Sequence, residues 1–569
     1  MTEKKVKIGQ AQTVAHPEKV EIFLHHLIRH VPKSVRALER EKYKFSAEYG
    51  IPTIPNRDLV AIARRHKTPL PDDLESLLQK RSVRTISGVS PIGILTKPYP
   101  CPGQCVYCPT EARMPKSYLS SQPAAARAKR NNFHPFRQVK NRLRALYDSG
   151  HPVSKLEIIV MGGTWSFLPY AYQNWYVREV FRAANEASGQ LQEISGKGVR
   201  GLQLLQNTNE TAENRIIGLT LETRPDFINE RELARMRSYG CTRVEIGVQT
   251  LDDSVSKLTK RGHGRAEVIR ATALLKNYGF KVCYHLMPGL PGSTPTRDLA
   301  WFREVFEHPD FCPDFIKIYP CVVLDTAELK KWWDAGNYKP YDDATLIKWL
   351  IKAQTIVPEW CRIMRLMRDI PADCIRDGAK FSNLRQIIHE QPNKLKSIVG
   401  AKFFSAEKLD QRPILFRDIR AREVGFASFN ERKKLLQTAP ILVRRNYRAS
   451  GGDEVFLSFE NPEKTALFAL LRLRKPSTDF SPQHFASVLK HSAIIREVHS
   501  YGQEVSVGNE ADIGQHRGFG KRLIAEAERV TREEWGFKKI AIIAGVGTRE
   551  YYRKFGYELR GTYMMKKMN

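Results

Sequence analysis

No apolar run in the 569-residue sequence approaches the roughly 18–20 residues that a bilayer-crossing helix needs. Its first residues, MTEKKVKIGQ, are charged with no apolar core behind them, so a secretory signal is not expected. Cysteine is scarce. Nine thiols, an odd number, argue against a disulfide framework and for a reducing compartment, with the cytoplasm as the expected location. Acidic residues are short as well, 61 against 92 Lys+Arg, which leaves a net charge of +31. With 42% hydrophobic and 27% charged residues the composition is that of a globular protein, and the length calls for two or three domains.

The acid deficit is uneven. Residues 1–150 hold 27 Lys+Arg against 12 Asp+Glu, a surplus of 15 in about a quarter of the chain. The basic groups include Lys4, Lys5 and Lys7, then Arg64, Arg65 and Lys67, then Lys80, Arg81 and Arg84, and the stretch from Arg127 through Lys129 and Arg130, where Phe133, His134 and Phe136 are interleaved. A solvated surface accounts for any one cluster. The asymmetry as a whole predicts a polyanion, with phosphate contacts and base stacking as the mode. A membrane-surface role is disfavoured because no amphipathic Lys/Trp helix accompanies the charge.

Three of the few cysteines are crowded into CPGQCVYC, at Cys101, Cys105 and Cys108. This C-x3-C-x2-C spacing is one ligand short of a closed site, so it suits an iron–sulfur cluster with one open iron. A zinc knuckle borrowing His134 is the alternative. Cys312, Cys321, Cys361 and Cys374 contain no CxxC pair; separate buried thiols are the simpler reading and a structural zinc the other.

Residues 1–84 read as a basic helical leader. From about 85 to 325, PIGILTKP, LEIIVMGGT, IIGLTLETRPD, TRVEIGVQT, FKVCYHLMPGLPG and DFIKIYP read as strands alternating with helices, one of them at about 123–149, with a polar insertion around 185–214. Short continuous apolar strands with helical crossovers predict parallel pairing in an α/β, barrel-like sheet. Polar residues gather at the C-terminal strand ends: Gly162 and Gly163, Glu222, Gln249, His285, Lys317 and Tyr319. In a βα barrel that rim carries the chemistry. Residues 326–412 read as a linker region, and 413–569 as a second, largely antiparallel domain that includes REVGFAS as a strand.

In that domain Gln515-x-x-Gly518-Phe519-Gly520 opens an amphipathic helix, whose amides and dipole can cradle a pyrophosphate. Tyr551 and Tyr552 follow on the next helix, where a phenol can reach a thioester sulfur. An ordinary helix N-cap turn is the alternative for the glycines, and an ion pair with Arg224 the alternative for Glu222.

The cysteine motif resembles the radical S-adenosylmethionine enzymes, and QHRGFG with GTREYYRKFGY resembles the GNAT-type acetyltransferases. With MGGT, LETRPD, EIGVQ, RGH, DFIKIYP, RDIRAREVG and GGDEVFLSFE in order, the chain from about residue 75 onward resembles the Elongator catalytic-subunit family of tRNA uridine-modifying enzymes. The compact cysteine spacing matches a prokaryotic-type member. The resemblance implies a partial TIM-like (βα) barrel fused to a GNAT-type α+β domain. It also implies a 4Fe–4S cluster on Cys101, Cys105 and Cys108, and S-adenosylmethionine placed by Gly162, Gly163, Glu222 and Gln249. Acetyl-CoA would be held by Gln515, Gly518, Phe519, Gly520 and Tyr552. Tyr551, Tyr552, Lys317 and Tyr319 are the implied catalytic group. Lys80, Arg81, Arg84, Arg127, Lys129 and Arg130 are the expected RNA contacts, on a tRNA anticodon stem-loop. The implied product is 5-carboxymethyluridine at the wobble position. A protein lysine acetyltransferase using only the last domain, or a non-catalytic tRNA-binding scaffold, are the competing readings. The electron donor is left unidentified and a homodimer left open.

Overall fold

Strands β1 (Val89–Leu95), β2 (Lys155–Met161), β3 (Arg215–Thr223), β4 (Arg243–Gln249), β5 (Lys281–Leu286) and β6 (Phe315–Ile318) lie side by side in sequence order, all parallel. This is a computed structural model, and it describes residues 14–78, 88–187, 198–380, 416–426, 435, 438–501 and 518–568. Helices such as Tyr170–Ala187, Glu230–Ser238, Arg265–Asn277 and Pro295–Glu307 cross between the strands and cover the outer face of an open, barrel-like sheet. The strand period of two sorts the side chains. In β4, Val244, Ile246 and Val248 enter the apolar core, while Arg243, Glu245, Gly247 and Gln249 line the lumen.

The strands match the sequence expectation closely, and four segments differ. Strand β8 (Arg362–Arg365) adds a seventh parallel strand beside β6, so the segment expected to be a linker contributes to the main sheet. Its four residues, RIMR, are too short and too charged to register as an apolar run. The same segment supplies helix Asp343–Ile356 and β9 (Ile375–Asp377), which pairs with β7 (Val323–Leu324). The single helix expected at about 123–149 is two, Pro123–Arg130 and Pro135–Asp148. Between them Asn132 and Phe133 take left-handed φ values of 50° and 54°, which break the helical path, and Pro135 opens the second helix at its first position. The expected polar insertion contains helix Gly198–Thr211. Finally, REVGFAS is no strand where it is described: Ile419–Arg422 is a short helix, Val424–Phe426 a helical turn, and Glu423 makes only an isolated bridge to Leu467.

Helices Pro17–Arg29, Val35–Glu48, Asn56–Arg65 and Asp72–Leu78 form a small bundle around Phe23, Leu27, Leu38 and Leu59. It leans on the barrel through Arg64, whose guanidinium lies 4.0 Å from the Tyr147 ring centroid. The C-terminal sheet has β10 (Ile441–Ala449), β11 (Gly452–Glu460), β12 (Leu467–Lys475), β13 (Ala493–Ser500), β14 (Lys539–Ile542), β15 (Glu558–Arg560) and β16 (Tyr563–Lys567), in the order β10–β11–β12–β13–β14–β16–β15. Every pair is antiparallel except β13–β14, which is parallel and covers only Ala493–Ile495 against Ile540–Ile542. Beyond Ile495 the two strands are no longer paired, which leaves a wedge between them.

The two sheets share a buried, charged seam. Asp314, just before β6, accepts from Arg496 Nη1 at 2.7 Å and Nη2 at 2.5 Å and from the Val282 N–H at 2.9 Å. Glu454 accepts from Arg496 Nη2 at 3.1 Å and Arg474 Nη1 at 3.0 Å, and Lys276 lies 3.4 Å from Glu454 and 3.6 Å from Asp314. All five side chains are essentially inaccessible. Beside this seam Gly545 packs so closely on β3 that a Cβ would overlap the Ile217 carbonyl. Arg549 and Arg553 reach Glu210 on the barrel at 2.9 and 2.6 Å.

Burial alone would raise the Asp314 carboxyl, but the charges of Arg496, Lys276 and Arg472 hold it far below its ordinary value. A depressed carboxyl contributes stability that is complete above its unfolded value near pH 4 and is lost as pH falls. Asp314→Asn is therefore expected to cost about 3–5 kcal/mol at pH 7, because it leaves buried cations unpaired. Denaturant titrations at pH 7 and pH 3 check this. An equal cost at both pH values would contradict the assignment.

Candidate active site

Strand β1 delivers the chain to the cysteine loop at the C-terminal rim. The loop is pinned from outside: Val106 N–H donates to Thr259 O at 3.2 Å and Leu329 N–H to Val106 O at 2.8 Å. A turn closed by Cys108 N–H on Cys105 O, 3.1 Å, sets two of the thiols. Cys101 Sγ accepts from the Gly103 N–H at 3.4 Å and lies 3.8 Å from Thr164 Oγ1. Cys105 Sγ accepts from Arg261 Nη1 at 3.4 Å. Burial opposes ionisation of Cys105, yet the Arg261 guanidinium holds its thiol below the ordinary value; burial and the neighbouring Cys105 push Cys108 up to about 11.

The motif thiols and His134 do not converge as a ready ligand set. Among the described residues, the one trio of potential ligands converging within 4.8 Å is Glu245, Cys283 and His285, with none of the motif cysteines. His134 packs against Trp175, 5.2 Å between ring centroids. Nor do Cys312, Cys321, Cys361 and Cys374 converge. Cys312 donates to Phe306 O, Cys374 lies 3.3 Å from Ser121 Oγ, and Cys361 sits in the barrel core.

Gly162 and Gly163, with φ values of 130° and 94°, turn the chain after β2 through a region that other residues rarely adopt. A Cβ on Gly162 would overlap Thr96 Oγ1. Gln249 ends β4 with a φ of 71°, a strained value for a non-glycine residue, and its Oε1 is buried with no partner. Glu222 does not pair with Arg224, which forks onto Asp226 at 2.9 Å; Glu222 Oε2 accepts from the Tyr118 hydroxyl at 2.8 Å. Its other oxygen lies 3.7 Å from His285 Nδ1.

From there charge continues down the lumen. His285 Nε2 is 3.0 Å from Glu245 Oε2, which also holds the Lys317 ammonium, and Arg243 is 3.7 Å from the second oxygen. Burial works against ionised Glu245, but Lys317, His285 and Arg243 keep its carboxyl well below the usual range. Tyr319 packs edge-on against His285 at 5.5 Å, under the Arg368 guanidinium at 6.0 Å.

In the C-terminal domain Gly518 takes a left-handed φ of 67° as the N-cap of helix Phe519–Arg529 and, having no side chain, does not itself cap the first-turn amides. The Phe519 ring turns inward onto Phe459, 4.7 Å between centroids, so only its backbone faces the turn. Gly520 lies under Tyr551, whose hydroxyl would be 2.8 Å from an added Cβ. Tyr551 is half-exposed and Tyr552 buried, and burial raises both phenols, which keeps them as O–H donors at neutral pH. Of the expected RNA contacts, Lys129 and Arg130 are exposed on helix Pro123–Arg130 and Arg127 faces the cavity. Lys80, Arg81, Arg84 and Gln515 lie outside the described residues.

One cavity of about 2180 Å³ runs from the cysteine loop through the lumen to Tyr552. Cys101, Cys105 and Cys108 border it at the rim, Glu245 and Lys317 along the lumen, and His499 and Tyr552 at the wedge between β13 and β14. The residues at the rim fit an anionic cluster with a polar ligand beside it. Arg224 Nη1, Arg261 Nε and Gln249 Oε1 are all buried there without a partner. Tyr118, Glu245, Arg261 and Arg368 were not foreseen as site residues. The motif RGH held the signal for Arg261, and the alternation Arg243-x-Glu245-x-Gly247-x-Gln249 held it for Glu245.

The profile of the radical SAM superfamily matches residues 99–300, and that of the radical SAM C-terminal domain residues 313–394. The chain is 43% identical over 494 residues to the tRNA uridine(34) acetyltransferase of Dehalococcoides mccartyi, covering 86% of this chain and 100% of that one. It is 37% identical over 544 residues to human Elongator complex protein 3, covering 93% of each. Among solved structures it resembles the archaeal Methanocaldococcus infernus Elp3 with residues 1–46 deleted, at 38% identity and a TM-score of 0.69, covering 85% of this chain and all of that one.

Lys317→Met leaves the buried Glu245 carboxylate short of its nearest cation, and a cost of about 3–5 kcal/mol is expected. Adding Glu245→Gln should recover part of that loss. Urea unfolding of the two single variants and the double variant measures the coupling, and strictly additive costs would contradict the pairing.

Proposed function

The chain belongs to the family that includes the tRNA uridine(34) acetyltransferases and Elongator complex protein 3, and on that premise we propose that it is a cytoplasmic tRNA-modifying enzyme that converts the wobble uridine to 5-carboxymethyluridine. The observation that carries this reading is the single cavity bordered by the cysteine triad at one end and by Tyr552 at the other. Two cofactor sites that open into one chamber suit a reaction that needs both at once.

Cys101, Cys105 and Cys108 would hold a 4Fe–4S cluster, leaving one iron open. Gly162 and Gly163 offer backbone polar groups beside it, while Glu222 and Gln249 offer acceptors for the amino and ribose groups of S-adenosylmethionine. In a GNAT-like C-terminal domain the backbone amides at Gly518, Phe519 and Gly520 would cradle the pyrophosphate of acetyl-CoA, and the wedge between β13 and β14 would take its acyl arm. When bound, these groups supply a hydrogen-abstracting organic radical and the two-carbon unit it acts on.

The chain's own residues do the rest. The apolar walls behind β4 and β5 exclude water from the outer side of the barrel, and Lys317 and Tyr319 present a fixed cation and a phenol partway along the lumen. Tyr552, held protonated by burial, can donate to a thioester sulfur at the wedge. The cavity is lined by 14 Lys and Arg against 6 Asp and Glu, a wall suited to the phosphates of a tRNA anticodon loop whose target base is flipped inward. Exposed Lys129 and Arg130 extend that charge outward. A lysine acetyltransferase would use one end of the cavity and leave the barrel without a role.

Nucleoside mass spectrometry of tRNA from cells lacking the protein is expected to show loss of the carboxymethyl-derived wobble uridines; unchanged wobble nucleosides would overturn the reading. Cys105→Ala is expected to remove the cluster absorbance and the modification while tRNA binding persists. Tyr552→Ala should keep the cluster but lose most acetyl-CoA turnover. If both variants, still folded, lost tRNA binding along with modification, the division between the two sites would be wrong.

A further inference from the structure

We propose that Arg261 sets the reduction potential of the cluster held by the cysteine loop, making the cluster easier to reduce. The inference rests on the cluster assignment made above, and it concerns the tuning of that site. The guanidinium is fixed at two points and the backbone that carries it at a third. Nη1 donates to Cys105 Sγ at 3.4 Å, Nη2 donates to the Gly247 carbonyl on β4, and the backbone N–H of Arg261 is tied to Ser256 O at 2.9 Å. A Cβ at position 247 would lie 2.7 Å from Nη2, so glycine there leaves the room in which the guanidinium sits.

Arg261 is 6% exposed, so its charge acts through protein and is poorly screened by water. Its Nε is buried with no partner, and the side chain makes no salt bridge of its own among the described residues. Nearby Arg224 is neutralised in part by its fork onto Asp226. Of the three thiols, Cys101 receives a neutral backbone N–H, whereas Cys105 receives a charged donor.

Physics fixes the sign. Adding one electron to a 4Fe–4S cluster makes it more negative. A fixed cation and a charge-assisted hydrogen bond to a ligating sulfur both favour that more negative state. Neighbours that orient and polarise a metal's ligands tune the metal in this way. The electron comes from a low-potential one-electron reductant, and Arg261 changes neither the electron count nor the proton count of the step.

The test is an EPR-monitored redox titration of anaerobically reconstituted protein with dithionite and mediators, without S-adenosylmethionine, acetyl-CoA or tRNA. Arg261→Gln is expected to lower the midpoint so that the electron is bound at least tenfold more weakly, about 59 mV for a one-electron couple. Arg261→Lys keeps the charge but cannot reach Cys105 and Gly247 O together, so a smaller shift in the same direction is expected. An unshifted or raised midpoint in either variant that retains four irons per chain overturns the proposal. Loss of the cluster from both variants, with the fold intact by circular dichroism, overturns it in favour of a structural clasp. If the wild-type protein itself takes up no cluster, the cofactor reading under the proposed function fails instead. Unmodified tRNA alongside a normal Arg261 effect would indict the substrate alone.

Discussion

The molecule depends on one buried ionic seam, in which Asp314 and Glu454 face Arg496, Arg474 and Lys276 between the two sheets. Desolvating five charges is costly, and a seam of this kind is tolerable only when every partner is in place. It therefore acts as a registration device more than as a source of net stability. Asp314 is anchored to β5 through the Val282 N–H, and Arg496 reaches back to the Phe280 carbonyl at 2.9 Å. A small hinge between the sheets would break several charged hydrogen bonds at once. Arg472 extends the lock, donating to Trp360 O at 2.6 Å and to Glu497 at 2.7 Å.

That fixed register creates the chamber. The seam holds the first half of β13 against the barrel, where Ala493–Ile495 still pair with β14. Past Ile495 the pairing ends, and the following residues Glu497, Val498 and His499 face the lumen mouth. Burial and the Arg362 and Lys281 cations, set against Glu497 and Glu157, push His499 down to about 4, so it stays neutral at physiological pH. The lumen thus runs from thiols at the rim, past the Glu222–His285–Glu245–Lys317 chain, to a neutral imidazole and the Tyr552 phenol at the wedge.

Much of this was legible in the sequence. Six of the barrel strands, their parallel pairing and the cysteine loop after the first of them follow from short apolar runs separated by helical stretches. The inner face was not legible in the same way. Reading RVEIGVQ as a continuous buried strand hides its alternation, in which Arg243 and Glu245 are as buried as Val244 and Ile246 but point the other way. Rim chemistry was therefore expected where charge in fact extends along the whole lumen. Strand β8 escaped notice because four residues, RIMR, are too few to carry a periodic signal, and the free edge of β6 recruits it. Arg261 and Tyr118 are distant in sequence from the groups they touch, by 156 and 104 residues, so the motif RGH could flag Arg261 but no local pattern could name the partner of either residue.

The same distinction bears on the net charge of +31. Arg237, Arg472, Arg474 and Arg496 are among the largest fully buried side chains, and counting them towards a polyanion-binding surface would mislead. Yet the seam nearly cancels itself: Arg472, Arg474, Arg496 and Lys276 are set against Asp314, Glu454 and Glu497. Paired interior charges remove cations and anions in almost equal number, so the surplus is displaced to the remaining surfaces. Those are the cavity wall and the basic N-terminal quarter of the chain. Internal pairing therefore sharpens the inference from composition, because the seam that fixes the two sheets leaves nearly the whole excess outside itself.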